Sequence, residues 1–342
     1  IKVALILQDG LTYPKSSAFI RLISPLSDPS LDGKLSMKLF PGNTSDIGPG
    51  FDACIVQRTA VSKLDTAKKL VANLKKSDTR LILDSDDAFH AIDPNHPEHG
   101  AHTERLEVFN FIAEKSDQVW LSTERLVDAI KPLNKNVKLV RNSLDKRLWR
   151  LPVKSSGSGP IRIVHMGTVS HDDDFKLIFP ALQRLAEQYP GSFQLSVIGV
   201  AGEVPDLPWL ERIYQPAGHS IYPRFVSWFL GQGPFDIGLS PLVDNDFNRN
   251  KSDIKCLDYL AAGILPVVSD IEPYRSAELA PYIIKFANTK AAWQSGLEEI
   301  LRDPDGFRKR KKVAVTDAQD YLWRERGSAK TAADLYGLLG GK

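Results

Sequence analysis

Along the chain, short continuous apolar runs alternate with longer stretches in which apolar residues recur every three or four positions. The short runs predict strands at Val3–Leu7, Ala53–Gln57, Arg80–Leu83, Gln118–Leu121 and Val137–Val140, then at Ile161–His165, Gln194–Ile198, Ile237–Leu239 and Pro266–Val268. The periodic stretches predict helices at Ser16–Ser24, Leu64–Leu74, Thr103–Ser116, Thr123–Lys131, Phe175–Gln188, Tyr222–Leu230, Asp253–Ala262 and Lys290–Arg302. Short strands that are apolar on both faces and separated by helices are what a parallel sheet covered on both sides requires. The pattern therefore predicts a doubly wound α/β architecture.

One segment interrupts the alternation. Residues 151–160, Leu-Pro-Val-Lys-Ser-Ser-Gly-Ser-Gly-Pro, are rich in Ser, Gly and Pro, bury almost nothing and have the composition of a flexible linker. This divides the chain into a domain of residues 1–150 and a second of residues 161–307. A helical tail, 308–342, is expected to pack back on the body. Each half opens with a strand, so the expectation is two Rossmann-like domains facing each other across a cleft. Ligands in such sheets bind outside the carboxyl ends of the strands, and the loops there are the places to search.

Composition narrows the class. The 342 residues exceed one ordinary compact domain and suit two. Lys and Arg number 44 against 42 Asp and Glu, a balance that gives no reason to expect nucleic-acid binding. Cys54 and Cys256 each sit in an apolar run, so a disulfide framework is not expected and the reducing cytoplasm is the default compartment. No apolar run approaches the ~18 residues of a membrane span. The opening Ile-Lys-Val-Ala-Leu-Ile-Leu-Gln reads as a strand and not as a cleavable signal. No Walker A sequence, nucleophile elbow or CxxC pair is present.

The stretch Phe235–Tyr274 is the richest in candidate chemistry. A strand ends near Ser240, a polar loop follows, and Ser252 is suited to cap a helix whose residues 254, 257, 260 and 261 form a buried stripe. Gly263 is placed to end that helix in the left-handed conformation. Free amides at the helix start, at Ser252, Asp253 and Ile254, with Lys251 and Lys255 beside them, make a ready anion site. Asp258, one turn past Lys255, is placed to accept ribose hydroxyls. An ordinary amphipathic helix with solvated charges explains the same residues. The loop from Gly167 to Asp174 also follows a strand and precedes a helix. Gly167 and Thr168 are placed to face a diphosphate, while Asp172–Asp174 read equally as an acidic helix start.

The run Lys251-Ser252-Asp253-Ile254-Lys255-Cys256-Leu257-Asp258-Tyr259-Leu260-Ala261-Ala262-Gly263-Ile264-Leu265-Pro266-Val267-Val268-Ser269, with Pro273-Tyr274 after it, resembles the donor-site helix of GT-B glycosyltransferases, with bacterial members similar to glycosyltransferase family 4. Gly167–Asp174, Tyr222-Pro223-Arg224-Phe225, Asp84-Ser85-Asp86-Asp87 and Ser122-Thr123-Glu124 extend the likeness over nearly the whole chain. The resemblance implies transfer of a sugar, with retained configuration and no obligatory metal or other cofactor, from a nucleotide-diphosphate sugar to a glycan or lipid-linked glycan. Bacterial surface polysaccharide assembly is the setting it implies. The donor belongs to the second domain and the acceptor to the first. Where many family members carry two Glu eight positions apart, this chain has Asn250 and Asp258, which keeps a carboxylate for the ribose only. The family's Arg and Lys of the first loop are not evident. His171 stands there instead, with Lys251 or Lys255 supplying the charge.

The first half offers further groups. Asp84, Asp86 and Asp87 follow a strand directly and read as carboxylates that orient acceptor hydroxyls, with Asp86 a candidate base. The rival reading is a metal-dependent GT-A site, since a DxD after a strand is the mark of that fold. A sugar- or nucleotide-binding module without turnover is the third. Arg58 is placed to meet a phosphate or carboxylate, Gly10 to approach the donor diphosphate, and Asn142 to line the cleft. His90, His96, His99 and His102 fall within thirteen residues. Pro94, Pro97 and Gly100 argue against a regular helix there, so a loop over the cleft is expected in preference to a metal site. Arg308–Lys312 is the strongest charge block, read as a solvated helix face or as a contact with anionic lipid at the inner membrane surface.

Overall fold

The computed structural model describes residues 1–8, 14–92, 99–150, 157–167, 172–199 and 206–341, without side chains for 99–102. In chain order the first half holds β1 (Lys2–Ile6), α1 (Ser16–Ala18), a π-helical turn (Phe19–Ile23), α2 (Ser24–Leu26), β2 (Ser36–Phe40), β3 (Ala53–Gln57), α3 (Leu64–Lys76), β4 (Arg80–Ser85), α4 (His99–Lys115), β5 (Gln118–Leu121), α5 (Glu124–Ile130) and β6 (Val137–Leu139). The second half holds β7 (Ile161–Met166), α6 (Asp172–Gln188), β8 (Phe193–Ile198), β9 (Leu210–Ile213), α7 (Tyr222–Gln232), β10 (Ile237–Ser240), α8 (Asp246–Arg249), α9 (Ile254–Ala261), β11 (Leu265–Ser269), β12 (Ile284–Phe286), α10 (Lys290–Arg302), α11 (Pro304–Glu325) and α12 (Ser328–Leu338).

The chain divides into two compact units. The first comprises Ile1–Asp145, Asn250–Ser252 and Arg326–Lys342, the second Lys146–Arg249 and Asp253–Glu325. Among the described residues each holds a six-stranded sheet, ordered β2-β1-β3-β4-β5-β6 in the first and β12-β11-β10-β7-β8-β9 in the second. Every pairing is parallel.

The eight interior strands are the continuously apolar runs read from the sequence. Three edge strands, β2, β9 and β12, were not expected. Apart from the buried Ile284 of β12, their residues are partly buried or exposed, which leaves no continuous apolar run to signal them.

Each sheet is sealed by helices. In the first unit Val3, Leu5, Ile55, Ile82 and Trp120 pack with Ala18, Leu22 and Leu26, and with Leu335 and Leu339 at the end of the chain. In the second, Ile163, Leu195, Val197, Leu239 and Val267 pack under Phe175, Ile178 and Leu182 of α6 and Trp293 and Leu297 of α10. Each such side chain contributes about 1.5–3 kcal/mol on burial.

The basic run corrects an expectation. Lys311 is turned inward, donating from Nζ to the Phe235 carbonyl at 2.7 Å and to Asp236 at 3.3 Å. Arg308 donates to the Gly159 carbonyl at 2.6 Å and lies 3.8 Å from the same carboxylate. The five cations are therefore not one solvated face. Asp236, fully buried, neutralises two of them and receives the Arg162 amide at 3.0 Å. Among the described residues no helix is long and apolar enough to cross a membrane.

Candidate functional site

Strand order locates the place to look. In the second sheet the chain runs β7, β8, β9 toward one edge and then crosses to β10, β11, β12 toward the other, so the order reverses between β7 and β10. In the first sheet it reverses between β1 and β3. Crevices at the carboxyl ends of such strand pairs are where doubly wound sheets bind ligands.

At the β7/β10 reversal the last ladder pair is His165 with Leu239. Beyond it Met166 leads into Gly167, and Leu239 into Ser240. Gly167 donates its amide to the Ile198 carbonyl at 3.0 Å. Its carbonyl lies against Gly199, where a Cβ would stand 2.4 Å from it. Gly199 adopts φ +74, so both its conformation and the crowding require glycine. The sequence reading missed this residue; its only signal was a glycine directly after a strand. Thr168 and His171 lie outside the described residues.

The helix start is built differently from the expectation. α9 begins at Ile254, with Asp253 at the N-cap position and no side-chain cap bond. Ser252 is not the cap, because its hydroxyl accepts from Asn142 Nδ2 at 2.8 Å within the first unit. The helix ends as expected: Gly263 sits at φ +75, donating to Leu260 O at 3.0 Å, while Ile264 donates to Tyr259 O at 2.9 Å.

The buried surface of α9 is not a stripe, since every residue from Cys256 to Ala261 is buried. This overturns the solvated amphipathic reading and places Asp258 in the interior, at 9% exposure. Burial pushes its carboxyl up to about 8, against the pull of Lys255 and of the Tyr222 hydroxyl. Asp258 Oδ1 is buried with no hydrogen-bond partner in the described structure. Lys251 and Lys255 are half-buried.

The acidic start of α6 divides by role. Asp174 is buried and accepts from the Val243 amide at 2.7 Å and Asn248 Nδ2 at 2.9 Å, so it ties α6 to the loop after β10. Asp173 makes an exposed pair with Lys176.

In the first unit the Asp84-Ser85-Asp86-Asp87 stretch is occupied by cations. Arg21 and Asp84 are both fully buried side chains. Arg21 Nε and Nη2 meet both oxygens of Asp84 at 2.6–3.1 Å, and Nη1 meets Val140 O and Asn142 Oδ1 at 2.9 Å. Asp84 is therefore the counter-ion of a buried guanidinium and does not line a surface that an acceptor hydroxyl can reach, as had been expected. Asn142 carries the network on to Ser252. Arg58, at φ +54, pairs with Asp87, lies 3.7 Å from Asp86 and stacks 5.7 Å from the Phe89 ring. Asp86 and Asp87 remain partly accessible, at 17% and 30%.

A metal site of Asp84, Asp86 and Asp87 is not formed, because these carboxylates face guanidinium groups. Among the described residues no group of three His, Cys, Asp or Glu is placed to hold a metal ion. Contrary to the loop expectation, His99 and His102 belong to helix α4, while His90 is exposed; His96 and Gly10 lie outside the described residues. Asn250, in the position of the missing acid, is buried, and its carbonyl accepts from Thr123 Oγ1 at 3.2 Å.

No family model matches the chain, and no curated protein matches it by sequence. Solved structures do match. HepE of Anabaena in complex with UDP-glucose superimposes with a TM-score of 0.67 at 11% identity, covering 99% of each chain. The UDP-GlcNAc 2-epimerase of Neisseria meningitidis, bound to UDP-GlcNAc, gives 0.54 at 10% identity over 99% of each chain. TarM gives 0.57 at 12% identity over 88% of this chain and 56% of its own. With two doubly wound parallel sheets already in place, these likenesses show that the chain has the GT-B fold.

Proposed function

We propose that the chain is a glycosyltransferase that takes a sugar from a nucleotide-diphosphate donor and passes it to a glycan hydroxyl. The observation that supports it best is the likeness over 99% of the chain to a protein solved with UDP-glucose. In this reading the donor belongs to the second unit, at the β7/β10 reversal. Gly167 and Gly199 let backbone approach the diphosphate, and the positive end of α9 with Lys255 stabilises the charge on the departing nucleotide. Lys251 adds to that charge. Asp258 takes the ribose hydroxyls, its buried Oδ1 being the oxygen still open to a partner. Asp86 and Asp87 of the first unit orient the acceptor hydroxyl, with Arg58 holding both. Retention of configuration, a lipid-linked acceptor, a role in surface polysaccharide assembly, a cytoplasmic location and lipid contact through Lys309, Arg310 and Lys312 belong to the same proposal.

Calorimetry with UDP, GDP, CMP and dTDP, followed by a donor-turnover assay with and without acceptor glycans, tests it. Asp258→Ala is expected to weaken nucleotide binding about tenfold or more, and Lys251→Ala and Lys255→Ala to lower turnover. Unchanged kinetics in all three variants, or no nucleotide bound by the wild type, refutes the assignment. The fold is shared with a 2-epimerase, so a product epimerised on its nucleotide without an acceptor decides for isomerisation over transfer.

A further inference from the structure

Where β7 and β10 part, one side chain takes over from the ladder. β7 still pairs with β8 as far as Met166 with Ile198, but toward β10 its last partner is Leu239, opposite His165. The next residue of β10, Ser240, pairs only with β11, at Val268. The Met166 amide would be left buried without a partner, a loss of about 1–3 kcal/mol. The Tyr259 hydroxyl fills the position. It accepts from Met166 N at 3.2 Å and donates to Leu239 O at 3.1 Å, so a single oxygen joins the two diverging strands.

The phenol reaches that point because Gly238 has no side chain. A Cβ on Gly238 would stand 2.4 Å from the Tyr259 ring. His165 Nδ1 meets the same Leu239 carbonyl at 3.2 Å while its ring stacks on Phe175 at 4.9 Å, so a second side chain converges on that carbonyl. Tyr259 is fully buried, and burial holds its phenol far above the ordinary range, so the hydroxyl is a permanent donor.

We propose that Tyr259 is a positioning residue for the donor site: its hydroxyl sets the separation of β7 and β10 where they diverge, and with it the course of the backbone entering Gly167. The inference rests on the proposed placement of the diphosphate at that reversal. Tyr259 touches no ligand in this account and acts through Met166 and Leu239.

Tyr259→Phe removes the oxygen and keeps the ring. Tyr189→Phe is the control, since its hydroxyl also joins two partners, Glu298 at 2.6 Å and Arg302 at 3.1 Å, away from the strand ends that form the site. Hydrogen exchange resolved at Met166 is expected to quicken about tenfold beyond any change in global unfolding in Tyr259→Phe alone. The UDP dissociation constant and the donor KM are expected to rise about tenfold, with kcat within about twofold. In the wild type, added UDP is expected to slow exchange at Met166, a result that needs no variant to fold. Met166 exchange and UDP affinity both unchanged in Tyr259→Phe, or equal losses of affinity in Tyr259→Phe and Tyr189→Phe, overturn the inference while the functional reading stands. A wild type that binds none of the four nucleotides overturns both.

Discussion

Asp258 makes the stability of the second unit depend on pH in an unusual direction. In an unfolded chain this carboxyl titrates near 3.8, whereas in the fold burial moves it to about 8. Between those values folding takes up a proton, so the group's contribution is complete below the lower value and declines as pH rises to the upper one. The slope is about 1.4 kcal/mol per pH unit, or about 2.7 kcal/mol between pH 5 and pH 7. Asp258→Asn cannot ionise, so the difference between wild type and variant isolates this group from every other titration. Urea unfolding followed by tryptophan fluorescence suits the question. Five of the six tryptophans, Trp149, Trp209, Trp228, Trp293 and Trp323, belong to the second unit. At pH 5 the two proteins should differ least, and by pH 7 the variant should have gained about 2.7 kcal/mol on the wild type. Two stability curves that stay parallel from pH 5 to pH 7 refute the reasoning, since they require a carboxyl with the same protonation in both states.

Arg21→Met is expected to cost about 3–5 kcal/mol in urea unfolding, because it strands the buried Asp84 charge, while Arg21→Met with Asp84→Leu recovers most of that loss; a double variant no more stable than the single one contradicts this. Gly238→Ala forces a methyl into the Tyr259 ring and is expected to cost about 2–3 kcal/mol, with partial recovery when Tyr259 is shortened to Leu. The thermal midpoints of the two variants read this directly, and an unperturbed Gly238→Ala protein counts against the packing described.

Interior strands were legible because burial on both faces writes itself as unbroken apolar runs, as in Ala53–Gln57 and Leu265–Ser269. Edge strands carry half that constraint, and Ser36–Phe40 shows how little remains to read. The loops flanking α9 were found because glycine and the polar run punctuate them. What those polar residues do was not legible. Asp84 and Asp86 stand two apart and read as a pair, yet one is sealed against Arg21, 63 positions away, and the other faces Arg58. Ser252 had the right type and position for a cap, but Asn142, 110 residues earlier, claims its hydroxyl. Asp174 was one of three equivalent carboxylates in the sequence; only the fold distinguishes the one that meets Val243 and Asn248. Partners this distant leave no local trace. Propensity sees a residue's neighbours in the chain, whereas burial and pairing are decided by neighbours in space.

The closing helix α12 has a consequence for how the protein is made. Leu335 and Leu339 complete a core whose strands are synthesised first, and Arg80 reaches across to the carbonyls of Leu338 and Leu339. During translation the nascent N-terminal sheet therefore emerges with one flank bare, and it stays so while some 180 residues of the second unit are threaded out behind it. Until α12 has been made, that apolar surface is open to the aggregation that threatens partly folded domains. Loss of α12 would thus damage the half of the molecule that is synthesised first.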